Sequence, residues 1–155
     1  MAANRIRVAK DKAELVKSLV ASKDTTGPFQ TYADVIVFAA ALGAKHKKRI
    51  ALGEISKRDP DPIPQEHFLS KGYDMLIKLL AITTNKDINI ISSNDEHYDT
   101  QRIQIFEEYA NGGLELLQNE FRGAVDYSER LLLILKHNDF PESFGEFEFD
   151  LSKFV

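Results

Sequence analysis

Val35 to Leu42 runs eight residues without a polar side chain, and no other feature constrains the fold of this chain as much. Thr31 stands before it as a helix cap, and Asp34 puts a negative charge in the first turn, where the helix dipole favours one. A helix that is apolar on every side is enclosed by its neighbours. The run therefore predicts a central helix with amphipathic helices packed around it. Gly43 suits the left-handed position that ends a helix, and Lys45-His46-Lys47-Lys48-Arg49 suits the negative end of its dipole. Eight residues are far too few to span a membrane, so no membrane partner is expected.

The flanking segments supply the packing partners. Arg5-Ile6-Arg7-Val8 alternates charged and apolar residues, as a short strand does. Asp11, with Glu14 three residues on, predicts a capped helix whose stripe is Leu15, Val16, Leu19 and Val20, with Lys12, Lys17 and Lys23 on the other faces. Asp24 to Pro28 is a turn by composition. Asp59-Pro60-Asp61-Pro62-Ile63-Pro64 fixes an extended path, a rigid linker or a strap across the surface. Beyond it, Phe68, Gly72, Leu76, Leu79, Leu80 and Thr83 trace one helical face, with Leu69 and Tyr73 beside it.

Asn85-Lys86-Asp87 reads as a turn and Ile88 to Ile91 as ambiguous. A helix follows over about 97–117, with Ile105, Phe106, Tyr109 and Leu116 or Leu117 inward. Gly112-Gly113 within it predicts a break or a close helix contact, because each Gly costs roughly 1 kcal/mol against Ala in a helix interior. A last helix over about 125–136 would bury Leu131 to Leu135. The expected fold is mainly α, a single compact helical domain of about five helices with at most one or two short strands. That domain spans 1–138, basic over 1–58 and acidic over 59–138, with an acidic aromatic C-terminal tail at 139–155.

Charge is what divides it. Residues 1–58 hold 12 Lys/Arg against 5 Asp/Glu, and residues 59–155 hold 8 against 19, so the overall −4 conceals two opposite fields. A basic half implies a polyanion or an acidic partner. The candidate DNA-binding residues are Lys45, Lys47, Lys48 and Arg49, with Lys57 and Arg58 nearby; such cations neutralise phosphates and give salt-dependent binding. The alternative is a solvated helix end. No aromatic side chain interleaves with the cluster, which counts against single-strand stacking. A strand bearing Arg5 and Arg7, followed by two helices, is also the order of ribbon-helix-helix DNA binders, which dimerise through paired strands. Homo-oligomerisation stays open. In the tail, Asp139 to Asp150 has five acidic groups and four Phe. It could dock a partner, pack on its own domain, or mask the basic run until nucleic acid displaces it.

Enzyme signatures are mostly absent. There is no phosphate loop, no GxSxG and no GxGxxG. With 0 Cys, thiolate metal sites and a cysteine nucleophile are excluded. His46, His67, His97 and His137 do not pair at ligand spacing. Asp95-Glu96-His97 reads as a polar helix start, and Glu107-Glu108 as solvated helix surface, since helix neighbours point about 100° apart. No cofactor or metal is expected, and the amino terminus lacks an apolar leader, so a cytoplasmic location is expected.

Two stretches resemble a known family. Phe29 to Gly43, reading FQTYADVIVFAAALG, followed by the basic run and Ile50-Ala51-Leu52, resembles the small proteins encoded beside bacterial DNA phosphorothioation (Dnd) systems. Ile105 to Leu114, IFEEYANGGL, resembles a second stretch of the same Dnd system-associated proteins. The likeness spans about residues 5–120 and leaves out the acidic tail. It implies a phage-defence locus in which backbone sulfur marks self DNA and restriction attacks unmarked DNA. The role it implies is an accessory one, in DNA binding or in assembly with the other proteins of the locus. With enzyme signatures mostly absent, the expectation is a non-enzymatic factor that touches DNA through the basic run, the alternative being a protein–protein adaptor without DNA contact. It supplies no catalytic residues.

Overall fold

The computed structural model describes residues 4–22, 27–92, 95–123 and 126–139. The expected mainly α fold is what it shows. In chain order come β1 (Arg5–Ile6), a 3-10 turn at Lys10–Lys12, α1 (Ala13–Leu19), α2 (Tyr32–Lys45), β2 (Ile63–Pro64), α3 (Glu66–Leu69), α4 (Asp74–Asn85), a 3-10 turn at Ile88–Ile91, α5 (Glu96–Glu120) and α6 (Tyr127–Asp139). These form two compact units, one ending at Asn119 and the other beginning at Glu120.

In the first unit, α2 begins as its sequence dictates: the Thr31 hydroxyl accepts from the Asp34 amide at 3.2 Å. It does not end as expected. Gly43 lies inside the helix, which continues to Lys45, and the left-handed residue is Lys47, at φ 53°. Gly43 serves a different purpose. A Cβ there would collide with the Tyr109 carbonyl of α5, and one on Gly113 would collide with the Ala39 carbonyl of α2. The glycines let the two backbones touch, so α5 passes Gly112-Gly113 as one unbroken helix. Nor is α2 enclosed on all sides: Val37 and Phe38 are half-buried and Ala41 is exposed.

The core of this unit includes Ile6, Val8, Val16, Leu19, Ile36 and Phe106, all almost fully buried, with Phe68 set edge-on to Phe106 at 5.5 Å. Helix α1 buries Val16 and Leu19, but Asp11 does not cap it. The Asp11 carboxylate instead takes the Lys12 ammonium at 2.9 Å, and Lys12, expected on an outer face, is buried. The proline segment is a strap: Arg5 pairs with Pro64 and Ile6 with Ile63, antiparallel.

The single face traced from Phe68 to Thr83 is broken. Gly72, at φ +79°, separates α3 from α4 and resets the phase, so α4 buries Ile77, Leu80 and Ala81 while Leu79 is exposed. The reason is local: a left-handed glycine rotates all that follows about the helix axis. Ala81 joins Ile90 and Ile105 in a smaller cluster, with Tyr98 and Tyr109 against it.

Asp34 fastens the turn after α3 to the start of α2, receiving the Tyr73 hydroxyl at 2.6 Å and the Lys71 ammonium at 3.0 Å. Burial pushes this carboxyl up, but the hydrogen bonds from Tyr73, Lys71 and Thr31 together outweigh it and leave its pKa below the ordinary value. A depressed carboxyl stabilises the fold fully above its unfolded pKa and loses that contribution as pH falls through the folded one. Asp34→Asn should therefore be less stable than wild type at neutral pH. Urea unfolding at stepped pH should show the gap closing below about pH 4. A gap that stays constant in acid would disprove the assignment.

In the second unit, α6 buries Leu131 and Ile134 but not the whole leucine run. Leu132 and Leu133 are exposed, because consecutive residues on a helix cannot share a face. Phe121 stacks on Tyr127 at 5.2 Å. Beyond Asp139 the acidic tail lies outside the described residues.

Candidate functional site

The polar side of α5 is where the two charged halves of the chain meet. Glu107 and Glu108 lie three and four residues after Gln104, and Asn111 and Glu115 continue at three- and four-residue steps, so the five run as a stripe along one side of the helix. Each of the last four receives the first part of the chain. Glu107 accepts the Arg7 amide at 2.6 Å and the Arg7 guanidinium at 3.0 Å on each carboxylate oxygen. Glu108 pairs with Arg49 at 2.9 Å, and Arg49 also stands over the Tyr109 ring at 5.9 Å. Asn111 donates to the carbonyls of Ile50 and Ala51 at 3.3 Å. Glu115 meets Lys48 at 2.8 Å.

Glu107-Glu108 is thus not the solvated surface its polarity implied. The Glu107 side chain is only 1% exposed, while Arg7 is 52% exposed, so a buried carboxylate holds a guanidinium at the surface. The hydrogen bond and charge of Glu107 raise the Arg7 pKa against the opposing effect of burial. At Glu115 the Lys48 hydrogen bond, aided by its charge, lowers the carboxyl pKa.

The basic run of residues 45–49 is held together at the turn that closes α2. The Lys48 amide returns to the Gly43 carbonyl at 2.8 Å and the His46 amide to that of Leu42 at 3.1 Å. Lys45, His46, Lys47 and Arg49 are exposed, and Lys48 and Arg49 pair with carboxylates of α5. Lys57 and Arg58 are exposed on the stretch that leads to the proline strap, past Ser56, whose amide bonds the Val8 carbonyl at 2.8 Å. No hydrogen bond or ion pair joins them to the run at 45–49 among the described residues.

The ribbon-helix-helix reading does not survive this arrangement. β1 already pairs with β2 of its own chain, and Ala9 bridges to Ile55. Arg7 is held by the chain's own carboxylate, Glu107. Asp95-Glu96-His97 acts as the polar helix start expected of it, with the Asp95 carboxylate accepting from the His97 amide at 2.9 Å.

Beside the stripe lies a cleft of about 680 Å³, walled by Arg5, Arg7, the 51–55 segment and α5 from Thr100 to Glu108. Sequence reasoning missed it. Its one legible signal is the alternation of Arg5 and Arg7, which puts both on the side opposite the buried Ile6 and Val8. Arg102 escaped notice too: it is buried and bonds Asp99 at 3.0 Å and the Ile90 carbonyl at 2.6 Å, tying α5 to the turn before it.

A family model described as DNA sulphur modification system-associated protein 4 matches residues 5–154, so the acidic tail, expected outside the likeness, lies inside the match. No curated protein and no solved structure matches the chain.

Proposed function

The chain belongs to the DNA sulphur modification system-associated protein 4 family, and on that premise we propose that it is a non-enzymatic accessory protein that holds other proteins of the system together. The carrying observation is on α4. Met75 and Leu79, 74% and 53% exposed, stand one turn apart on a single face, with Leu69 before them and Ile88 after them also exposed. Two large apolar side chains one turn apart on an exposed helix face suit a protein-docking surface. The charges favour the same reading. Arg7, Lys48 and Arg49, which the sequence offers to a polyanion, are spent on Glu107, Glu115 and Glu108 of the same chain. The buried Glu107 carboxylate accepts three hydrogen bonds from Arg7 and so serves to hold β1 against α5.

Co-expression with each protein encoded in the system, followed by co-purification, tests this. Wild type is expected to bring down one of them, and Met75→Asp with Leu79→Asp to lose it while keeping its helical circular dichroism. Retention of the partner by the double variant would move the interface elsewhere.

DNA contact is a second reading, favoured by the exposure of Lys45, Lys47, Lys57 and Arg58. A salt titration with phosphorothioated and plain duplexes separates the two. Lys45→Ala with Lys47→Ala is the informative variant, because changing Lys48 or Arg49 would also strand Glu115 or Glu108. A steep salt dependence that flattens in that variant would establish phosphate contact. The defence role and the cytoplasmic location belong to the same proposal and rest on the family association.

A further inference from the structure

We propose that the cleft beside β1 binds the phosphate of a ligand about the size of a mononucleotide, a site independent of the docking face on α4. A guanidinium carries five N–H groups in a planar fork. Arg7 commits two of its own, on Nε and Nη2, to Glu107 at 3.0 Å, and the remaining three are on a side chain that is half exposed in the cleft wall. Its partner is almost wholly buried, so the fork is fixed in direction before any ligand arrives. Fixing it beforehand spares the rotamer entropy that a free arginine gives up on binding.

Arg5 lines the same cleft and is exposed, with Nη1 on the Pro62 carbonyl at 3.2 Å. It has no carboxylate partner among the described residues. The carboxylates of the wall are already matched, Glu107 by Arg7 and Glu108 by Arg49. The uncompensated charge of the cleft is therefore that of Arg5, and a planar fork of this kind recognises phosphate oxygens in pairs. Thr100 and Gln104 add polar groups to the lining, while Ile55 and the nearly buried Ile103 add apolar ones. A cleft of about 680 Å³ is of the size that takes small ligands.

Calorimetric titration of the full chain with a nucleoside monophosphate and with inorganic pyrophosphate tests the site, with a short duplex as a third arm. Arg7→Ala would strand Glu107, so the informative variants are Arg5→Gln, which removes the free charge, and Gln104→Glu, which adds an opposing one on an exposed helix position. Wild type is expected to bind at least one of the two small probes, and each variant to weaken that binding about tenfold, the scale of one charge-assisted hydrogen bond. No binding of either small probe overturns the proposal. So does binding that both variants leave unchanged, or binding of the duplex alone. The docking face is read with protein partners and through Met75 and Leu79, so failure here and failure there are distinguishable.

Discussion

Gly113→Ala is expected to destabilise the protein by at least about 3 kcal/mol, the upper range for forcing extra volume into a packed core. The new methyl would occupy the position of the Ala39 carbonyl. A backbone carbonyl cannot rotate aside as a side chain can, so α2 and α5 would have to separate along their whole crossing. Gly43→Ala, meeting the Tyr109 carbonyl from the other helix, is expected to cost a similar amount. Gly53→Ala is the control: nothing lies within 4 Å of a Cβ there, so the change should be close to neutral. Urea unfolding reads all three, as a lower midpoint at unchanged slope. A Gly113→Ala protein as stable as the Gly53→Ala control would mean that the helices do not touch at this point.

Arg7→Ala should cost about 3 kcal/mol, the low end of what is lost when a buried ion pair is broken from one side. The low end applies because Arg7 is itself half exposed and only Glu107 is deeply buried. Without the guanidinium, Glu107 keeps one donor, the amide of residue 7, for a carboxylate removed from water. The effect should fall mainly on the attachment of β1, because this pair spans 100 residues of sequence and ties the strand to the middle of α5. Adding Glu107→Gln should recover part of the loss, since a neutral amide tolerates burial better than an unpaired charge. A double-mutant cycle measures the coupling, which should be about 1 kcal/mol or more. Additive costs would show that the two side chains contribute separately and that the pair does not hold the strand.

Both predictions concern the same helix, and that bears on the proposed role. The charge division of the chain looked like an instruction for a polyanionic partner. In the folded protein much of it is an instruction for self-association of the two halves: Arg7, Lys48 and Arg49 each find a carboxylate on α5. On the basic run Lys45, His46 and Lys47 are exposed, as is Arg49 beside its pairing with Glu108. The apolar face at Met75 and Leu79 is left with no internal use, which is why partner docking is the leading reading.

What the sequence by itself determined rests on near neighbours, although not every local signal held, since Asp11 does not cap α1. The Thr31 cap and Asp34 at the start of α2 follow from hydroxyl and dipole chemistry within one helical turn. The turn at Asn85-Lys86-Asp87, where Lys86 is left-handed at φ 53°, was legible in the same way, as was a strand beginning at Arg5, though it ends at Ile6. At Gly112-Gly113 a break and a close contact were both open, and the approach of α2 selects the contact. Tertiary structure decided the rest. Glu107 carries the same carboxylate as Glu108, and no local rule distinguishes a side chain facing water from one enclosed beneath β1. Gly43 could end a helix or admit another backbone, and only the arrival of Tyr109 from α5 selects the second. The phase of α4 hung on a single left-handed glycine at 72. The cleft has walls more than 90 residues apart in sequence, from Arg5 to Gln104. Periodicity and capping report energies set within a few residues, whereas burial, ion pairing and cavity shape are set by which distant segments pack together.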